Sequence, residues 1–271
     1  MDFYNKIFWF RRGSFFIVQR IGVTKNFAPP YLVSILFLIR RCAAFMVWIE
    51  DDPSGSSYRC IYDFSCAGVD NISSKNNKRN LKRGLERTQV REVKLCDLDK
   101  SYFEVYVKSC QSRHEKVKYT HDEFFEKLRK FLSKGNCVIY AGFCNNRLAA
   151  YMTVIYSETI AFGDELYFDR GFGPNNPLWS LYYNVANISL EKGFLAFDRG
   201  TQPLVHTTNV DNFLIKMNFK IVPIRYASIS FPLMNTCFSI FHICIKRFPK
   251  FFSCSFRKKV YALNRILNNE T

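Results

Sequence analysis

Apolar residues recur at three- and four-residue spacing in some stretches of this chain and in short runs between turn residues in others. That mixture predicts helices interleaved with strands. The plainest helix begins at Thr120-His121-Asp122-Glu123, the S/T-x-x-E capping box, with Tyr119 and Phe124 placed as a hydrophobic staple. Phe124, Phe125, Leu128, Phe131 and Leu132 then make one buried stripe, and Gly135 is expected to stop the helix. The stretch Glu165–Thr201 reads as strand end, Gly/Asn/Pro loop, helix, short strand and polar turn. Its helical stripe is Leu178, Leu181, Tyr182, Val185 and Ile188. Pro177 suits the first turn and Gly193 the exit. Phe194–Phe197 is a short apolar run that ends in the polar turn Asp198-Arg199-Gly200-Thr201.

The same reading fills in the rest. Ser14–Gln19 is strand-like, and Pro30–Arg41 is a helix. Strands Ala43–Ile49 and Ser57–Phe64 flank the turn cluster Asp51–Gly55, which predicts a hairpin. Asn71–Lys94 reads as a helix capped at Ser73 or Ser74, with a narrow stripe at Leu81 and Leu85. Leu98–Cys110 is a helix with Tyr102, Val105 and Tyr106 on one side. Cys137–Cys144 and Leu148–Tyr156 flank the hairpin turn Asn145-Asn146-Arg147, and Glu158–Phe168 is a third strand. A short helix at Asp211–Met217 exits through Asn218, which suits left-handed backbone, into the strand Phe219–Ile229. The expected division is an N-terminal α/β lobe over 1–70, a core over 71–230, and a C-terminal segment over 231–271.

Composition limits what this scaffold does. The 271 residues are 48% hydrophobic and 23% charged, which gives a real core and excludes a disordered chain. The net charge of +16 favours an anionic partner: nucleic acid, an acidic membrane surface or a phosphorylated ligand. Eight Lys/Arg lie between Lys75 and Lys94 against Glu86 and Glu92. Lys78, Arg79, Lys82 and Arg83 are the candidate phosphate or nucleic-acid contacts; the alternative is a solvated helix face. The tail 227–271 has no acid before Glu270 and interleaves basic with aromatic residues. Over 237–265 this suits an anionic membrane surface, or a subdomain whose aromatics pack inward.

The ten cysteines form no CxxC and no zinc-finger spacing with His, so they read as reduced core residues in a cytoplasmic protein. No metal site is expected. Arg40-Arg41 splits the apolar stretch Pro30–Ile49, which argues against a span. The expected location is the cytoplasm, with peripheral contact at the inner membrane face. GxSxG, HExxH and Walker motifs are absent.

Helix, helix, three antiparallel strands, loop, helix, strand, helix, strand is the order of a GNAT-type acyltransferase core. Residues from about Ser73 to Tyr226 resemble the acetyltransferase-like domain of the Fem-type bacterial aminoacyltransferases. The resembling stretches are SSKNNKRNLKRGL, NRLAAYMTVIY, NPLWSLYYNVANISLEKGFLAFDRG and FLIKMNFK. The resemblance implies an α/β (α+β) fold, with a mixed, largely antiparallel sheet flanked by helices and a reduced N-terminal lobe. It implies transfer of an acyl or aminoacyl group onto an amine of a cell-envelope or polysaccharide precursor. No cofactor is bound permanently; acyl-CoA or aminoacyl-tRNA is the donor. The GNAT pyrophosphate loop R/Q-x-x-G-x-G/A aligns with Arg170-Gly171-Phe172-Gly173-Pro174-Asn175, so Arg170, Gly171, Gly173, Asn175 and Asn176 are the candidate donor contacts. Pro174 lacks one N–H, and Asn175 replaces a small residue. The family's tyrosine acid aligns with Leu214, and Asn218 replaces the glycine of its terminal G-F.

Acyl transfer to an amine needs a group that takes the amine proton, a polarised carbonyl and a proton for the leaving group. Asp198, Glu165 and Tyr182 are the candidate catalytic residues, with Asp164 and Tyr167 beside them. The alternative is a non-catalytic basic binding protein on the same scaffold, contacting RNA or an anionic membrane surface.

Overall fold

A computed structural model describes residues 2–4, 7–12, 16–19, 38, 45–51, 57–63, 72, 74–157, 159–201, 208–230, 243 and 247. In chain order the elements are β1 (Asp2–Tyr4), β2 (Ile7–Arg12), β3 (Phe16–Gln19), β4 (Phe45–Asp51), β5 (Ser57–Asp63), α1 (Lys75–Arg87), β6 (Gln89–Val93), α2 (Lys100–Ser112), α3 (His121–Leu132), β7 (Cys137–Cys144), β8 (Arg147–Tyr156), β9 (Ile160–Phe168), α4 (Pro177–Glu191), β10 (Ala196–Thr201), α5 (Thr208–Lys216) and β11 (Lys220–Ser230). They fall into two compact units. One comprises Met1–Cys60, Gly200–Asp211 and Ile221–Thr271; the other comprises Ile61–Arg199 and Asn212–Lys220.

The first unit carries strands in the order β1-β2-β3-β4-β11. β1/β2 and β2/β3 are antiparallel, β3/β4 parallel and β4/β11 antiparallel. This corrects the expected hairpin after β4. Its two edges are taken by β3 and by β11, which pairs Ser230 with Phe45 through Ile224 with Asp51. A turn cluster reverses the chain but does not choose the next partner; the long apolar β11 does. The helix expected over Pro30–Arg41 lies outside the described residues except Leu38, which is helical and buried. The C-terminal segment 231–271 lies outside them except the exposed Ile243 and Arg247, and the first residues of the basic-aromatic tail, 227–230, belong to β11.

The second unit is built on the order β10-β9-β8-β7-β6, antiparallel throughout except the parallel β9/β10 pair. α3 is framed as its sequence dictates. Thr120 Oγ1 accepts the Glu123 N–H, and Glu123 Oε2 accepts the Thr120 N–H at 2.8 Å. That pairing holds the Glu123 carboxyl below its usual range. Gly135 is not in left-handed conformation; the helix ends through Ser133 in right-handed geometry instead. Asn145 and Asn146 take φ of 49° and 60°, the geometry of a two-residue hairpin turn. α4 leaves through Gly193 at φ 86°, with Phe194 N–H on Ser189 O and Gly193 N–H on Leu190 O, a Schellman exit.

Two helices depart from expectation. α1 stops at Arg87 and the chain turns into β6, so Arg91 and Lys94 are not helical. Only Val93 of β6 is buried; an edge strand that presents Gln89, Arg91 and Glu92 to solvent looks like part of a basic run. Leu81 is buried, but its partner on α1 is Gly84, while Leu85 is exposed. α4 buries Trp179, Ser180 and Ala186 besides Leu181, Tyr182 and Val185, while Leu178 and Ile188 stay half-buried. The stripe is broader than predicted because α4 packs on the sheet and on α1 together.

Aromatic contacts fix the faces. Tyr151 of β8 and Tyr167 of β9 meet Tyr102 and Tyr106 of α2, with ring centroids 5.3 and 5.1 Å apart. On the opposite face Phe197 of β10 meets Tyr182 of α4, which also packs on Phe213 and Phe219.

Candidate functional site

The site begins where two parallel strands part. β10 follows β9 for three pairs, Ala196 with Ile160, Phe197 with Ala161 and Asp198 with Phe162. The next residues, Gly163 and Arg199, are not a ladder pair. At the same point β9 bulges. Its register against β8 jumps from Gly163–Val154 to Leu166–Met152, leaving Asp164 and Glu165 opposite Thr153. The freed Glu165 N–H donates to Thr153 Oγ1 at 2.9 Å. A bulge bends its strand and re-aims a side chain, which here is the Glu165 carboxylate.

Arg199 closes one side of the gap. Its Nη1 donates to the Gly163 carbonyl at 3.1 Å, and its Nε to the Tyr182 hydroxyl at 2.6 Å. A Cβ on Gly163 would lie 2.9 Å from Phe197 Cζ and 3.3 Å from Met152 Sδ, so the glycine makes room for the Phe197 ring, while Arg199 Cδ at 3.4 Å would be in ordinary contact. The sequence Asp198-Arg199-Gly200-Thr201, expected as a turn, continues β10. The strand persists because Phe197 is fully buried while Arg199 is held by partners on the same face.

The candidate catalytic residues are distributed around this gap. Tyr182 is buried on the α4 face, its oxygen on Arg199. Asp198, also buried, alternates to the opposite side of β10 from Phe197 and Arg199. Glu165 is half-buried on the α2–α3 face, its two oxygens 2.7 and 2.6 Å from Lys127 Nζ. Asp164 is half-buried within the bulge. Burial first, then the Glu165 charge, push the Tyr167 hydroxyl far above its usual range. Tyr151 behind it is pushed up for the same two kinds of reason, so both stay protonated at neutral pH.

The candidate donor loop, Arg170–Asn175, is a 3-10 turn rather than an open glycine loop. Asp169 caps it: Oδ1 accepts the Gly171 N–H at 2.9 Å, and Oδ2 accepts from Lys108 Nζ at 2.7 Å. The amide that a pyrophosphate oxygen would use is thus on a carboxylate. Arg170 and Gly173 are exposed, and Asn175 is half-buried. Asn176, at φ 55°, ends the turn and starts α4; its N–H bonds Gly173 O, and its carbonyl accepts from Trp179. Its buried Nδ2 has no hydrogen-bond partner.

α1 is pressed onto this loop. A Cβ on Gly84 would lie 2.7 Å from Asn176 O, and Ser180 Oγ donates to Thr88 O at 3.2 Å. Of its candidate phosphate contacts, Arg79 and Lys82 are exposed, Lys78 and Arg83 half-buried. Leu214, at the aligned tyrosine position, is buried in the core. Among the described residues no cluster of His, Cys, Asp or Glu has metal-binding arrangement. Sequence reasoning missed Arg199, Gly163, Thr153 and Lys127. Only Gly163, a glycine inside a strand pattern, carried a signal.

No protein-family model matches the chain, and no curated protein does. Solved structures do. It is similar to FemX, at 9% identity and TM-score 0.57 over 80% of this chain and 82% of that one. It is similar to L-PGS from Bacillus licheniformis, at 13% identity and TM-score 0.53 over 96% and 85%. It is similar to the C-terminal domain of an Agrobacterium fabrum protein assigned as a lysylphosphatidylglycerol synthetase, at 13% identity and TM-score 0.55 over 82% and 79%. The fold shared with these proteins is the GNAT-like one: a mixed, largely antiparallel sheet flanked by helices.

Proposed function

We propose that the chain is an N-acyltransferase, moving an acyl or aminoacyl group from an activated donor onto an amine of a cell-envelope or polysaccharide precursor. The observation that carries this reading is the parting of β9 and β10 beside a bulge, with Glu165 on one face and the Arg199–Tyr182 pair on the other. Glu165 takes a proton from the acceptor ammonium. The amine nitrogen attacks the acyl carbonyl, the bond to the donor oxygen or sulfur breaks, and Tyr182 protonates the leaving atom. Arg199 Nε–H on the tyrosine oxygen stabilises the phenolate left behind. The second amine proton returns the tyrosine to its starting state. Asp198, buried at the strand end, is the remaining candidate for handling a proton.

The likeness to a protein assigned as making lysylphosphatidylglycerol supports an aminoacyl cargo. The basic face of α1 beside Asn176 supports aminoacyl-tRNA over acyl-CoA as donor, as does the use of the Gly171 amide by Asp169. The net charge supports work at the inner membrane face, with 237–265 as the contact. A thermal-shift screen with acyl-CoAs and charged tRNAs, followed by transfer of a labelled aminoacyl group to amines, tests the reading. Stabilisation by charged tRNA, with transfer lost in Tyr182→Phe and Glu165→Gln, is the expected result. No shift with any donor, and no change on Arg170→Ala, would overturn it. Binding of tRNA without transfer would leave the second reading, a non-catalytic basic binding protein, which the self-capped loop at Asp169 favours.

A further inference from the structure

We propose that Glu165 and Tyr119 form the seat for the ammonium group of the acceptor, and that Lys127 occupies that seat in the resting protein as an internal stand-in. The inference rests on the acyltransferase reading for calling the amine an acceptor; the seat itself is read from geometry. Lys127 Nζ reaches both Glu165 oxygens, at 2.7 and 2.6 Å, and lies 4.8 Å from the centre of the Tyr119 ring. A forked carboxylate with an aromatic face is how proteins hold a primary alkylammonium.

Three features separate this pair from an ordinary surface ion pair. Glu165 is not on the regular ladder: the bulge puts it there, with its N–H tied to Thr153 Oγ1. The surroundings are aromatic, since Tyr106 contacts both Tyr119 and Tyr167, at 6.1 and 5.1 Å. The wall behind also keeps unused polar capacity: Tyr151, fully buried and packed on Tyr167 at 5.3 Å, has a hydroxyl with no hydrogen-bond partner. Lys127 keeps 30% of its side chain exposed, on a flexible unbranched stem, so a change of rotamer is all that displacement requires. Glu165 lies two residues along β9 from Gly163, where the strands part.

The seat selects by chemistry. A primary ammonium on an unbranched alkyl stem reproduces what Lys127 presents. A quaternary ammonium keeps the charge but has no N–H for the two oxygens. Lys127 is therefore a competitor that sets the acceptor threshold, and it is displaced by the substrate it resembles.

Titration of n-butylamine into the full chain, followed by NMR or calorimetry, tests this without reference to transfer. In Lys127→Met the amine is expected to bind about tenfold more tightly than in the unaltered chain, because the fraction of open seats rises. The gain should vanish in Lys127→Met/Glu165→Gln and be absent for n-butyltrimethylammonium. Equal binding to the unaltered chain and Lys127→Met, or retained binding in the double variant, would overturn the proposal. Circular dichroism melts show which variants are folded; a misfolded Lys127→Met is replaced by Lys127→Gln, which carries the same expectation. Amine binding as expected without acyl transfer from any donor would keep the seat and sink the acyltransferase reading instead.

Discussion

Gly163 and Arg199 meet across the mouth of two separating strands, the glycine carbonyl accepting from the guanidinium at 3.1 Å. The missing side chain of Gly163 leaves room for the Phe197 ring beside this contact: a Cβ there would stand 2.9 Å from Phe197 Cζ, inside any real contact distance. Phe197 is buried against Tyr182 and Phe219 and has little room to yield. Gly163→Ala is therefore expected to cost about 1–3 kcal/mol through overpacking. A shifted Phe197 ring should also disturb its neighbour Tyr182, the partner of Arg199. Chemical denaturation measures the first effect; loss of transfer beyond what the stability change explains measures the second.

Tyr182→Phe separates the hydroxyl from the ring. The ring stays packed on Phe213 at 5.6 Å, so the core keeps its apolar contacts. The Arg199 Nε–H loses its acceptor at 2.6 Å. Hydrogen bonds to charged groups contribute about 1.5–3 kcal/mol, so a stability loss of that order is expected in urea titrations. Tyr182→Leu should cost more, because it also removes aromatic packing.

Much of the fold was legible wherever one local device decides the backbone. The Thr120–Glu123 capping box, the Asn145-Asn146 turn, Gly193 at φ 86° and Asn218 at φ 69° all sit as their residue types dictate. What was not legible depends on partners distant in sequence. β6 hides in a basic run because its side chains face solvent, and β4 pairs with β11 rather than the next strand. The site suffers most from this. Glu165, Asp198 and Tyr182 were nameable as residue types, but the bulge opposite Thr153 and the partners Lys127 and Arg199 follow from register alone. Arg199, in particular, reads from sequence as part of a polar turn.

Asp169 gives a pH test of the loop before α4. Burial alone would raise its carboxyl, but the Lys108 ammonium and the Gly171 N–H hold it below the usual carboxylate range. A folded-state value below the unfolded one stabilises the fold above the unfolded pKa, and that stability is lost as pH falls through the folded value. Asp169→Asn should therefore lower the urea midpoint by a constant amount above about pH 5, with the difference shrinking toward about pH 2. A difference that grows on acidification would contradict the assignment. Lys108→Met should reproduce part of the effect, since the exposed lysine supplies one of the two interactions.

Gly84 sets two effects against each other. Replacing a helical glycine by alanine ordinarily stabilises a helix by about 1 kcal/mol. Here the new Cβ would lie 2.7 Å from Asn176 O and 3.2 Å from Ser180 N, both backbone atoms that cannot rotate away. Asn176 is moreover fixed in left-handed geometry at φ 55°. Overpacking at about 1–3 kcal/mol outweighs the propensity gain, so Gly84→Ala should lower Tm despite improving the isolated helix. The same change lifts α1, with Arg79 and Lys82, away from the loop that precedes α4. If the donor is an RNA gripped by that face, Gly84→Ala should weaken tRNA binding while leaving its salt dependence unchanged, because no charge is lost. Arg79→Glu with Lys82→Glu should instead flatten the slope of log K against log salt by roughly 0.7–0.9 per phosphate contact removed. Filter binding across a salt series distinguishes the two, and identical slopes in all three proteins would exclude α1 from the RNA interface.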